Sequence, residues 1–580
     1  MKKKYIFRNI SFGLLMACSI SSCEDYLSVS NPNKTTVETF WTDLIDTQSG
    51  LYATYAVLRN DYVLNIREEA WRSDLCWPGY GRPQPQSNAE GWNWYCQLYT
   101  NSTNAVSNKW DALYIGVWRA NQVIEALDRI KSTVDVSELE TWNQQMGQAR
   151  FMRGLMYFYL HSSFNNGSVV LRKSTEDPYN LPLSPSEDVL KFFREDLQAA
   201  FELLPSPDNV PANYTGLPTK GTAATIQGVS FLYEKEYEEA EKKFKDVIDN
   251  YGYELEQDWE KMFTNDGEFN SESIFEISYS LDYRQDITTW DNNCMYNRLA
   301  SMSTTLAGFL PAAWLVNEFL NDKPDALDTR NSGRKVSLRA SSMVALVQDD
   351  VTPYYMTGNA AENCAMGGPQ GDWGFGKFKK YTNHDIVTKE KSSMSGKNVV
   401  VNRLSDVYLM YAECLLQRET PDIAGALSYI NKVRARWGVQ LLGPEAEFAG
   451  ECTYDNIDYT KDDVMNHLMF VERPLELATE GHQIRWQDLR RWGLLEDDDN
   501  NIFKKHQRED DFWSVEYTAK KLNSNQTVKK NNSTVQKGSG NLCLNYEFQI
   551  ASQNYRKSRN LYLPIPQKEL MNNSAIKNNN

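Results

Sequence analysis

The feature that most constrains this chain is a helical hairpin written between Lys220 and Gly252. Gly228 is followed by Phe231, and then by Tyr237, Ala240, Phe244 and Val247 at offsets of 9, 12, 16 and 19 residues from the glycine. Small residues at that spacing let two helix backbones touch, while large ones fill the gaps between turns. One such hairpin cannot bury its apolar face alone, so it predicts stacked neighbours. Ala412, Leu415, Ala426, Ile430 and Val433 repeat the scheme with a loop two residues longer. Met146 to Leu204 and Leu51 to Leu127 supply two further pairs with looser spacing.

This spacing resembles the tetratricopeptide repeat. The predicted fold class is mostly α: a scaffold of about four helical hairpins, with repeats within residues 45–252 and 400–438. Trp110, Leu113, Tyr114, Val117 and Trp118 fall at i, i+3, i+4, i+7 and i+8 and predict one buried stripe. Phe151 to Leu160 is apolar nearly all round and predicts a helix buried on every side. The pattern breaks in residues 61–108 and 254–399, which read as irregular, ligand-facing parts with a few short strands. Glu496 to Gly540 is polar and reads as loop, and the Asn-rich end from Asn572 reads as a fraying tail. A stiff frame with long loops places recognition on the loops.

At 580 residues the chain has room for about four domain-sized units or one large fused body. The 61 basic and 77 acidic side chains leave a formal net charge of −16. That disfavours nucleic acid as a partner, because nothing offsets phosphate repulsion. It equally disfavours docking to an anionic lipid surface through a basic face. The nine Cys form no CxxC, and five His give no zinc-site spacing. Cys76 and Cys96 are either a bridge or two small core residues; the sequence leaves both open.

The first residues read as an address. Lys2, Lys3, Lys4 and Arg8 precede a short apolar run from Ile10 to Ile20, too short for a permanent bilayer span. Ile20-Ser21-Ser22-Cys23 resembles a bacterial lipobox. The resemblance implies a signal peptide over residues 1–22, cleavage before Cys23 and lipidation of its thiol. Cys18, after Leu15-Met16-Ala17, is a weaker candidate.

Motifs of catalysis are thin. Gly371 to Lys377 spells GxxxxGK, but Phe378 stands where a phosphate loop needs Ser or Thr for magnesium; the stretch reads as a turn before a strand. Glu480-Gly481-His482 lies near Arg485, Arg490 and Arg491 and reads as an ion-pair network at a helix end. No GxSxG occurs, and no carboxylate pair is singled out for glycoside hydrolysis. The rings say more. Trp71, Trp77, Trp92, Trp94 and Tyr95 crowd a segment rich in Pro, Gly, Asn and Gln. Sugar C–H faces stack on indoles while nearby amides and carboxylates bond hydroxyls. About three such platforms at roughly 2 kcal/mol each give about 6 kcal/mol, a micromolar-to-millimolar affinity. Trp290, Tyr296 and Arg298 form a second group. The alternative is that these rings anchor loops to the frame.

Four segments share one pattern: Arg403 to Gln417 (RLSDVYLMYAECLLQ), Ile430 to Gly438 (INKVRARWG), Glu472 to Gly493 (ERPLELATEGHQIRWQDLRRWG) and Tyr562 to Leu570 (YLPIPQKEL). Trp118 to Ile124 and Ala149 to Tyr159 agree with them, as does CEDYL after the lipobox. Together they strongly resemble the SusD/RagB family of Bacteroidetes outer-membrane lipoproteins, over nearly all of residues 23–580. The resemblance implies a non-enzymatic protein anchored to the outer membrane and facing the cell exterior. It implies capture of glycans, which pass to a SusC-type TonB-dependent transporter, with the repeats toward the transporter and the loops toward ligand. Oligopeptide binding in the RagB manner is the alternative, and a surface glycoside hydrolase a more distant one. The motifs at 472–493 and 562–570 read as structural. Ligand residues transfer loosely: Arg72-Ser73-Asp74 and Trp77 sit where relatives place sugar-binding groups, and Trp290 to Arg298 lies in the other contributing region. The expected ligand-binding set is Asp74, Trp77, Trp92, Trp94, Trp290 and Tyr296, with Cys23 as lipid anchor. No cofactor is called for, and whether calcium is bound stays open.

Overall fold

A computed structural model describes residues 40–78, 89–210, 214–280, 299, 309–354, 358–359, 376–382, 395–509, 514–520, 527–533, 535–537, 543–545 and 547–577. Cys23 and the signal segment, Trp290, Tyr296 and Arg298 lie outside them.

The frame is built from α-hairpins, as the periodicity predicts. Its first part runs α1 (Leu44–Tyr55), α2 (Ile66–Arg72), α3 (Ala89–Tyr95), α4 (Asn104–Ile130), α5 (Leu139–Ser163), α6 (Ser186–Leu203), α7 (Lys220–Tyr233) and α8 (Tyr237–Asn250). After the irregular stretch come α9 (Leu404–Leu416), α10 (Ile423–Arg436), α11 (Ile484–Arg491), α12 (Ile502–Glu509) and α13 (Gln567–Asn572). Successive helices pack in order, α4 on α5, α5 on α6, α7 on α8 and α9 on α10, and α8 on α9 joins the two repeat regions. One cluster of buried apolar side chains extends from Val57 to Ile565.

Local chemistry sets these elements. Thr219 and Thr222 form a reciprocal capping box that starts α7, and the Asp422 carboxylate accepts from Gly425 N to start α10. In the α7–α8 hairpin a Cβ built on Gly228 would lie 2.6 Å from the Phe244 ring. The glycine is what allows the close approach. Every residue from Phe151 to Leu160 is buried, Arg153 through its ion pair with Asp196 at 2.7 Å, so the segment lies inside the frame as expected.

The buried stripe of α4 is narrower than its spacing suggests. Leu113 and Val117 are fully buried and Trp110 nearly so, but Trp118 is 51 % exposed. One helical step of about 100° past Val117 carries it over the edge of the contact face with α5.

The irregular part is stitched to the frame by short antiparallel pairs. Ser273–Ile277 pairs with Val399–Arg403, Cys76–Trp77 with Leu310–Pro311, and Val344–Leu346 with Gly376–Phe378. Gly376 thus opens a strand, in keeping with the non-nucleotide reading of GxxxxGK. Two segments are more ordered than the sequence suggests. Glu496 to Gly540 contains α12, anchored by the buried Ile502 and Phe503, and a hairpin of Ser514–Lys520 with Thr527–Ser533. Val515, Tyr517 and Ala519 alternate with polar residues there, a period-2 signal hidden by the polar composition. At the C-terminus Ser574–Lys577 is a short helix, with Ile576 buried and Asn573 Nδ2 donating to the Leu181 carbonyl at 2.9 Å.

Candidate functional site

The segment expected to form ligand loops folds inward instead. Asp74 is fully buried, Trp77 is 1 % exposed and Trp94 is fully buried. None of these three is a ligand platform. Asp74 is an ion-pair centre: Arg485 Nε and Nη2 donate to its two oxygens, each at 2.7 Å, and His506 Nε2 lies 2.9 Å from Oδ2. Burial alone would raise the Asp74 carboxyl, but Arg485 and His506 outweigh it and hold it below the usual carboxylate range. Arg72 is buried as well. Its guanidinium lies 3.9 Å over the Trp486 ring and donates to Tyr99 Oη at 2.9 Å and the Asn560 carbonyl at 2.7 Å. Trp94 stacks on Tyr99 at 4.5 Å. Cys76 and Cys96 are separate buried thiols, with Cys96 pushed up to about 12 by burial. The anchoring alternative holds for these rings because two-residue pairing with Leu310–Pro311 and helix α3 draw the segment onto the core.

Trp92 differs. It sits on α3 half-buried, flanked by the exposed Glu90 and Asn93. Its ring stacks on Tyr95 (5.8 Å, 23°) and meets the Trp77 edge at 6.4 Å. Behind it the layers continue: Tyr95 against Phe548, Phe548 against His506, and His506 stacked on Trp314 at 4.9 Å. The Tyr95 hydroxyl accepts from Phe548 N at 2.6 Å, and Trp314 Nε1 donates to the Asp74 carbonyl at 2.6 Å. Trp92 is therefore the outer face of a fixed aromatic wall whose base is the Asp74–Arg485 pair. A ring held in advance loses little rotamer freedom when a ligand stacks on it.

The C-terminal motif is structural. Arg403 Nη1 reaches Glu272 (2.7 Å) and Glu476 (2.6 Å), and its Nε reaches Glu480 at 2.7 Å. Arg436 shares Glu272 (2.5 Å) and Glu476 (2.8 Å), Trp437 Nε1 donates to Glu476 at 2.7 Å, and Lys380 pairs with Glu480. All of these side chains are buried. Glu480 is thus an ion-pair residue, and His482 stacks on Tyr159 at 3.8 Å, where burial keeps it neutral well below its usual pKa. Among the described residues no group of three or more His, Cys, Asp or Glu is placed to hold a metal ion, and no helix is long and apolar enough to cross a membrane.

Residues 271–580 match the family model described as the SusD family. This chain belongs to the SusD family. A second model, described as starch-binding associating with outer membrane, matches residues 25–227. A SusD-like protein of Formosa agariphila is 24 % identical over 525 residues, covering 84 % of this chain and 90 % of that protein. A SusD superfamily structure from Bacteroides vulgatus superposes with a TM-score of 0.68 at 21 % identity, covering 93 % of this chain and 99 % of the other. Surface glycan-binding protein A from Bacteroides uniformis superposes with a TM-score of 0.62 at 19 % identity, covering 91 % and 98 %. These SusD-family likenesses place the helical-hairpin frame in one shared fold.

Proposed function

We propose that this protein is an outer-membrane lipoprotein, anchored through Cys23 and facing the cell exterior, that captures oligo- or polysaccharide and hands it uncleaved to a SusC-type TonB-dependent transporter. The observation that carries the binding step is Trp92, a partly buried indole on a wall of rings. An apolar sugar face gains contact there without ordering the protein. The family supports the same reading: one of its models is described by starch binding and outer-membrane association, and one structural neighbour is named for glycan binding at the surface. The acidic balance suits a neutral ligand better than an anionic one.

Affinity electrophoresis through gels containing amylopectin, laminarin, xylan or galactomannan tests the reading. Retardation by at least one polymer is expected, with oligosaccharides of that polymer recovered intact after incubation. Free migration in all four gels, or cleavage, contradicts it.

A further inference from the structure

Among the described residues Trp118 is the most exposed tryptophan, at 51 %. It opens onto a groove of about 560 Å³ between α4, the segment around residues 172–179 and α13, within the size range of small-molecule sites. Tyr179, also 51 % exposed, lines the same groove. Its ring is fixed from two sides. The Arg172 guanidinium lies 5.3 Å over the ring, and the Tyr179 hydroxyl donates to Glu569 at 3.3 Å. Arg172 is itself held by the carbonyls of Pro178 (2.9 Å) and Tyr179 (2.7 Å). Lys568 Nζ pairs with Asp111 at 3.0 Å.

Two exposed rings in one groove with fixed donors and acceptors suit a ligand with apolar ring faces and a hydroxylated edge. The charges narrow the class further. Asp111, Asp177 and Glu569 line the groove with Arg172 and Lys568, so the carboxylates are in excess and repel an anionic ligand. A purely apolar segment would strip water from these charged groups without replacing it. We infer that this groove is a second oligosaccharide-binding site, for a neutral glycan. It goes beyond the capture site at Trp92 and shares no residue with it. Two sites on one stiff frame let a single polymer chain engage both, which raises the apparent affinity for polymer above that of either site.

The test compares wild-type protein, Trp118→Ala/Tyr179→Ala and Trp92→Ala in gels of amylopectin, laminarin, xylan and galactomannan. In any polymer that retards the wild type, the double variant should raise the apparent Kd about tenfold. Its melting temperature should fall by no more than a few degrees, the loss of the Tyr179 contacts to Arg172 and Glu569. Trp118→Phe, which keeps a ring, should restore most of the retardation. Unchanged retardation of the double variant in a polymer where Trp92→Ala is weakened overturns this site and leaves the capture site standing. Weakening by the double variant with none by Trp92→Ala supports this site and overturns the other. No retardation of the wild type in any of the four gels overturns both.

Discussion

Arg485 grips both oxygens of Asp74 at 2.7 Å across 411 residues of sequence, in a place without solvent. The bond joins the N-terminal segment that carries the aromatic wall to the C-terminal motif helix. Removing one partner leaves a buried charge with nothing to balance it, which costs about 3–5 kcal/mol. Asp74→Ala should therefore lower the unfolding free energy, read from denaturant titration, by an amount in that range, with a lower midpoint. A normal midpoint with reduced glycan binding would instead make Asp74 a ligand residue.

Gly228 faces Phe244 in the α7–α8 hairpin with no room for a methyl group. Gly228→Ala should destabilise by about 1–3 kcal/mol through overpacking. Adding Phe244→Leu should recover part of the loss, since the two act on one contact. Chemical denaturation of the single and double variants measures this, and strict additivity would deny the contact.

The pH response follows from groups inside the ion network. Burial pushes the Glu272 carboxyl up, but Arg436, Arg403 and Ser405 outweigh it and bring it down to about 2, below its ordinary 4.5. Its stabilising contribution is thus present above pH 4.5 and is lost as the pH falls towards 2. Between pH 7 and 4.5 buried groups oppose one another. Glu268, pushed up to about 7 by burial, favours the fold as the pH falls. His161, pushed down to about 4 by burial, disfavours it below its ordinary 6.5, and His467 and His482, which burial also lowers, act in the same direction. The melting temperature should fall steeply below pH 4.5, where the paired carboxylates of the network begin to lose their charge. Glu272→Gln should cost more at pH 7 than at pH 3.

Cys23→Ala should move the protein from the membrane fraction to the soluble fraction on cell fractionation. Retention in the membrane would contradict anchoring at this residue.

The frame was legible because helical burial leaves a period of 3.6, and Gly228, Phe244 and the Phe151–Leu160 run each occupy the place their chemistry demands. The site was legible only in part. Trp77, Trp92 and Trp94 carry the same side chain in the same kind of segment, yet two are core and one reaches solvent. What separates them is tertiary: α3 turns Trp94 toward Tyr99 and Trp92 away, and the Leu310–Pro311 pairing draws Trp77 in. Asp74 gave no local sign of Arg485 or His506, both more than 400 residues away. Trp118 was hidden in the opposite sense, because its spacing matched a buried stripe while it lay one step past the stripe's edge.

The most direct measurement is glycan affinity and melting temperature for Trp92→Ala beside Trp77→Ala, by affinity electrophoresis and thermal unfolding. Loss of one stacked ring worth about 2 kcal/mol should weaken the Trp92 variant about 30-fold, and its melting temperature should fall less than that of Trp77→Ala, because Trp92 is only partly buried. Trp77→Ala should lose about 3–5 kcal/mol of stability from the cavity it leaves. Full glycan affinity in Trp92→Ala, or a collapse of its stability to match Trp77→Ala, would contradict the account.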